Sequence, residues 1–290
     1  MRFSSLTVTN EAHHDRAMNS LSLAHLTILD ATPPTLIAAA ADAGFQSVGL
    51  RLVAPSHSDA FDSIIDDEAS LRETERCLQS SGLCVLDVET LWLEPDTVIA
   101  DFQPALETAA RLGARFVQVV GNDPLKGRLI ANVARLCQVV APLRLQVMLE
   151  FIPYSEVKTL ARAAEVIDAT GESNAGVLID ALHLSRSGGS PAELATMAPA
   201  LLPWAQICDA PRTAPAAERL RAEARRDRLY PGEGGLPLLE LLAALPPDIP
   251  LSVEAPHARY RNLSARERAR LAFAASSTLL RRREEGRSSS

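Results

Sequence analysis

One pattern constrains this chain more than any other. Between residues 21 and 283, short runs of β-branched and aliphatic residues alternate eight times with longer amphipathic, alanine-rich runs. The apolar runs fall at 21–27, 47–52, 84–88, 116–120, 145–150, 175–180, 204–208 and 251–254. Each is short and almost continuously apolar, as parallel strands covered on both faces must be. The segments between them carry helix punctuation: Pro33 and Pro34 open the first, and Gly44, Gly82 and Gly113 stand where a helix turns back into a strand. Further helices are predicted over 67–80, 104–112, 128–141, 155–170, 191–197, 236–245 and 265–282.

Eight strand–helix units predict an α/β protein, a (β/α)8 TIM barrel, filling residues 21–283 as one domain. An open dinucleotide-binding sheet would place a GxGxxG after its first strand, and none is present. The cluster Gly232-Glu233-Gly234-Gly235 lacks the lysine of a P-loop. Outside the barrel, residues 1–20 read as a flexible arm, whose His13 and His14 belong to no periodic pattern, and 284–290 as a disordered tail. The long irregular stretch 210–235 is predicted to lie over the barrel mouth.

Composition removes several function classes. A net charge of −7 gives no footprint for phosphate backbones, so nucleic acid is not an expected partner. The cysteines Cys77, Cys84, Cys137 and Cys208 form no CxxC pair, which argues for buried thiols in a reducing compartment rather than a zinc or disulfide framework. No apolar run reaches membrane-spanning length and the first residues lack a signal-peptide core, so a cytoplasmic protein without membrane contact is expected.

Chemistry concentrates at four consecutive strand ends. Glu150 closes LQVMLE, Asp180 closes AGVLID, Gln206 lies inside WAQIC, and Glu254 closes LSVE. Any single carboxylate there could be a cap or a surface charge. Four oxygen donors from adjacent strands converge on one arc of the mouth, where three carboxylates repel unless a cation neutralises them. Oxygen ligands predict a divalent metal ion, Mn²⁺, Mg²⁺ or Co²⁺, held by Glu150, Asp180, Gln206 and Glu254.

The stretches Glu150-Phe151-Ile152-Pro153, Asp180-Ala181-Leu182-His183, Gln206-Ile207-Cys208-Asp209 and Val253-Glu254 resemble the xylose isomerase-like TIM barrel superfamily, the sugar phosphate isomerase/epimerase group. The resemblance runs from about Leu21 to Leu280 and is carried mainly by the second half. It implies that these strand ends hold the metal and that His183, in Asp-x-x-His, contacts substrate. It implies the same for Glu156 and Arg212, and a rim or lid over 227–234. Many members have histidine where this chain has Gln206, but glutamine occurs in other branches, dehydroshikimate dehydratases among them. Pro153 and Tyr154 also replace polar residues common in ketose epimerases.

The front strands place Arg51, His57, Glu89, Trp92 and Asn122 around the other half of the mouth, with Glu89 and His57 as candidate substrate contacts. The expected activity is a metal-dependent isomerase or epimerase. It would act on a keto-sugar, keto-polyol or related hydroxy-ketone through an enediolate, with Glu150 and Glu254 moving the proton. Expulsion of a β-hydroxyl with His183 as acid would make the same machinery a dehydratase, a lyase of the 3-dehydroshikimate or inosose type. The partner is then a small carbohydrate-like molecule. Whether it carries phosphate, and whether the protein is a homo-oligomer, is left open.

Overall fold

The computed structural model describes residues 19–54 and 63–288, so His57 and the arm histidines lie outside the described residues. Eight parallel strands close into a barrel in chain order. They are β1 (Leu21–Leu23), β2 (Ser47–Arg51), β3 (Cys84–Leu93), β4 (Phe116–Gly121), β5 (Gln146–Glu150), β6 (Ala175–Asp180), β7 (Ala205–Ile207) and β8 (Leu251–Val253). Closure is made by β1 against β8, with Ser22 opposite Ser252.

Alternation along these strands divides the interior from the outer core. Val117, Val119, Val147, Leu149, Val177 and Ile179 face outward into the layer packed against the helices. Leu86, Phe116, Met148, Leu178 and Trp204 fill the barrel from within as a separate buried cluster. Phe116 and Trp204 stack at its centre, ring centroids 5.7 Å apart. This apolar plug closes the barrel below the level at which the polar side chains begin.

The helices are α1 (Pro33–Ala43), α2 (Glu68–Ser81), α3 (Gln103–Arg111), α4 (Lys126–Val140), α5 (Leu160–Thr170), α6 (Ala181–Arg186), α7 (Pro191–Leu194), α8 (Leu220–Arg226), α9 (Leu238–Ala244) and α10 (Ala265–Ser288). Thr32 caps α1 by accepting from the Thr35 N–H, and Gly44 ends it at φ 103°. Helix α5 starts at Leu160 rather than 155, because the Thr159 hydroxyl caps Arg162 N–H while Ser155 is turned back onto the Ile152 carbonyl. Helix α10 runs through Ser288, where a tail from 284 was expected; its mixed charges suit continued helix.

Two strands also differ from expectation. After Leu23 the chain leaves β1 for a 3-10 turn, His25–Ile28, and the His25 N–H donates to the buried Glu89 carboxylate at 2.7 Å. Strand β3 runs on to Leu93, well past residue 88. Helices α6 and α8 were not foreseen. Of the cysteines, all four are free, but Cys84 is exposed rather than buried. Among the described residues no helix is long and apolar enough to cross a membrane.

Candidate active site

The period of two that builds the plug also builds the site above it. Gln118 stands two positions beyond Phe116, Glu150 beyond Met148, Asp180 beyond Leu178, and Gln206 beyond Trp204. Each polar side chain therefore occupies the next interior layer towards the strands' C-terminal ends. All four are buried, as is Glu254 just past β8.

These groups form a polar ring that is hydrogen-bonded around most of its course. Gln118 Nε2 donates to Glu150 Oε2 at 2.8 Å. Gln206 Nε2 donates to Gln118 Oε1 at 3.3 Å and to Glu254 Oε1 at 3.1 Å. On the far side Arg228 Nη2 lies 2.9 Å from Glu254 Oε2, and Nη1 donates to Asp180 Oδ2 at 2.6 Å. Asp180 Oδ1 accepts from the His183 N–H at 2.8 Å, capping α6. His183 Nε2 stands 3.8 Å from Glu150 Oε1, beyond hydrogen-bond distance, so the ring is open at that oxygen.

Burial sets the charge state of the ring. Glu150 is pushed well above the usual carboxylate range, first by burial and then by Glu254 and Asp180. Burial likewise raises Glu254, to about 8, despite the opposing Arg228 guanidinium. Burial alone would raise Asp180 too, but Arg228 and His183 outweigh it and hold this carboxyl below its ordinary value. His183 is lowered to about 4 by burial, so its imidazole is neutral at pH 7. Arg228, fully buried, remains charged because Asp180, Cys208 and Glu254 oppose the cost of its own burial. One guanidinium thus faces three carboxyls, and burial shifts two of them, Glu150 and Glu254, towards the protonated form.

That residual demand fits a divalent ion. Glu150 Oε1 and Gln206 Oε1 are buried with no hydrogen-bond partner, which is costly unless something else satisfies them. Glu150, Asp180 and His183 present ligand atoms within 4.8 Å of one another. The four predicted donors do meet in one ring, with His183 beside them. Glu254 is joined to them through Gln206 and Arg228.

A narrow pocket of about 50 Å³ opens onto this ring. Arg51, Trp92, Tyr154 and Thr90 wall one side, and Arg221, Ala224 and Arg225 of α8 roof it. The stretch 210–235 does cover the mouth, largely irregular as expected but carrying the short helix α8 within it. Tyr154 meets His183 edge-on, ring centroids 5.9 Å apart. Glu89 is buried beneath the front wall, where it takes a 3.0 Å bond from Arg51 Nη2 and orients that guanidinium.

Several predicted contacts are placed elsewhere. Arg212 is exposed and packs beside Gly235 rather than in the pocket. Glu156 is exposed on the turn that precedes α5. Asn122 is engaged with Glu94, at 2.9 Å.

Three residues of the site had not been singled out from the sequence. Gln118 interrupts the apolar run FVQVV, and a buried amide within a strand needs partners, so its position was a readable signal. Asp87 carries the same signal: it lies in the barrel interior against Gly49, and burial, then Glu89 and Glu254, push its carboxyl well above the usual range. Arg228 sits in the glycine-rich segment read only as a rim, and nothing local marks it as buried.

The comparisons with known proteins agree with this architecture. A family model described as xylose isomerase-like TIM barrel matches residues 37–277. Inosose isomerase of Bacillus subtilis is 25% identical over 184 residues, which are 59% of this chain and 64% of that protein. Inosose isomerase of Halalkalibacterium halodurans is 27% identical over 107 residues, 33% of this chain and 38% of the relative. The chain thus spans less than two thirds of the length of these relatives. A crystal structure of IOLI protein with a binding zinc atom superposes with a TM-score of 0.77 at 20% identity, covering 90% of this chain and 98% of that one.

Proposed function

The chain belongs to the xylose isomerase-like TIM barrel family, and from that premise we propose that it is a divalent-metal-dependent isomerase or epimerase of a keto-sugar, keto-polyol or related hydroxy-ketone. The observation that carries the reading is the pair of orphaned oxygens, Glu150 Oε1 and Gln206 Oε1, in a ring holding more buried carboxyl than its one guanidinium balances. Glu150, Asp180, Gln206 and Glu254 would hold the ion. When bound, it supplies Lewis acidity towards a substrate carbonyl and the adjacent hydroxyl.

The protein's own groups supply the rest. Glu150 and Glu254 stand on opposite arms of the ring, so one can remove the proton beside the carbonyl and the other can return one. Glu254, raised to about 8 by burial, is poised to change protonation near neutral pH. Arg228 fixes the carboxylates of Asp180 and Glu254, and Gln118 fixes Glu150, so none must reorganise as charge develops. His183, neutral and buried, is the group beside Glu150 that could serve a departing hydroxyl. Helix α8 shields the pocket from water.

The test is a screen of keto-sugars and keto-polyols with Mn²⁺, Mg²⁺, Co²⁺ or Zn²⁺ added to chelator-stripped protein, following solvent deuterium into the product. Deuterium at the carbon beside the carbonyl, lost together with metal retention in Glu150→Ala, is the expected result. Release of water with a new enone absorbance would move the assignment to a dehydratase. Turnover indifferent to chelation and to Glu150→Ala would overturn it.

A further inference from the structure

A second, larger pocket of about 690 Å³ lies beside the mouth, between α8, the 3-10 turn after β1 and the chain after β8. Its charge is opposite to that of the protein. Among the described residues, Arg219, Arg225, Arg226, Arg261 and Arg268 line it against two carboxylates, Asp30 and Asp227, on a chain of net charge −7. The two acids are already engaged: Arg268 Nη1 lies 2.7 Å from Asp30 Oδ1, and Arg219 Nη2 lies 3.8 Å from Asp227 Oδ2. Arg226 and Arg261 have no carboxylate partner among the described residues. Leu26 and Arg225 belong to the walls of both pockets, so the two are contiguous.

We propose that this arginine-lined pocket binds a small-molecule oxyanion, a phosphate or carboxylate. This rests on the proposed isomerase reading only where the anion is taken to be part of the substrate. The chemistry follows from the side chains. Guanidinium groups present forked donors that match phosphate and carboxylate oxygens, and they carry their charge at any working pH. Arg226 of α8 and Arg261 of the chain after β8 line one concavity of ligand-binding size. A solvated charged face would leave them spread over a convex surface. An anion held there lies one residue's width from the mouth, so a substrate could place its reacting carbon over the polar ring and its charged end among the arginines. Alternatively a separate anion could brace α8, the roof of the site.

The test uses chelator-stripped, dialysed full-length protein, so that its outcome is independent of the metal. Inorganic phosphate is titrated at low ionic strength by calorimetry and phosphorus NMR into the wild type and the double variant Arg226→Ala/Arg261→Ala, neither residue being part of the mouth. Saturable binding, weakened at least tenfold in the double variant with an unchanged circular dichroism spectrum, is expected. No saturable binding, or equal binding by both proteins, overturns the site while leaving the isomerase reading untouched. Two kinetic readings then use the same proteins reloaded with Mn²⁺: a lower KM for a phosphorylated ketose than for the free ketose, abolished in the double variant, would identify the substrate's own tail. A change in turnover of the free ketose on adding phosphate would identify a separate effector.

Discussion

Arg228 donates to Asp180 across 2.6 Å in the interior of the barrel mouth, a contact between a fully buried side chain of the 210–235 segment and one at the end of β6. The same guanidinium reaches Glu254 Oε2 at 2.9 Å and the Glu254 carbonyl at 3.1 Å. The carboxylates that call for a cation therefore already have one, and the proposed divalent ion would add to it. The site is consequently bound up with the stability of the lid segment from which Arg228 comes.

Replacing that cation should be severe. Arg228→Met leaves Asp180 and Glu254 buried without their partner, and breaking such a buried pair costs about 3–5 kcal/mol. The variant's melting temperature without metal should drop markedly in calorimetry. Added divalent ion should restore more stability to it than to the wild type, because the ion takes over the neutralisation. Equal shifts in the two proteins would mean that the ion does not sit among these carboxylates.

Gln118 acts on the site through Glu150. Gln118→Leu removes the 2.8 Å bond that holds Glu150 Oε2 and leaves the fold's apolar layers intact. Loss of an outer partner of a metal ligand typically costs about 10–100-fold in metal affinity. Titration of the stripped variant with Mn²⁺ should show a loss of that order, with an unchanged circular dichroism spectrum.

The glycine-rich segment owes its composition to Asp209. The Asp209 carboxylate accepts from the N–H groups of Gly232 at 3.0 Å, Gly234 at 2.9 Å and Leu236 at 2.9 Å. A Cβ on Gly234 would lie 2.4 Å from the Ala210 carbonyl oxygen, so no other residue fits without moving backbone. Gly234→Ala and Asp209→Ala should each loosen the 210–235 segment, read as faster limited proteolysis there. For Asp209→Ala the buried Leu236 N–H left without its acceptor should cost about 1–3 kcal/mol.

Acid should destabilise the protein through His25. Burial lowers this imidazole's pKa below 6.5, and it accepts from the Arg51 N–H through Nδ1 at 3.0 Å, which requires the neutral ring. A base with a depressed folded pKa contributes stability that is fully present above its unfolded value of about 6.5 and is lost as pH falls towards the folded one. Denaturant midpoints should therefore decline below about pH 6.5. His25→Gln should show a flatter slope; an unchanged slope would assign the effect to other groups.

Glu254 predicts the opposite sign for the metal-free protein. Its folded value of about 8 exceeds the ordinary 4.5, so its contribution is present at low pH and is lost as pH rises through about 8. A bound divalent ion replaces that proton, so the thermal shift on adding metal should grow over the same interval. A metal-induced shift independent of pH would show that no proton is displaced.

What the sequence alone determined was whatever repeats locally. Strand and helix periods marked eight units, and the ends of four strands marked Glu150, Asp180, Gln206 and Glu254 as neighbours. Adjacency in a closed parallel sheet follows from chain order and alternation. Tertiary structure alone decided which charge balances which. Arg228 lies in a segment with no strand period, and only the folding of α8 over the mouth brings it to Asp180. The same segment leaves Arg212 exposed, and arginines from either side of β8 line one pocket. Contacts between loops depend on how far each connection reaches through space, and no local pattern of residues encodes that distance.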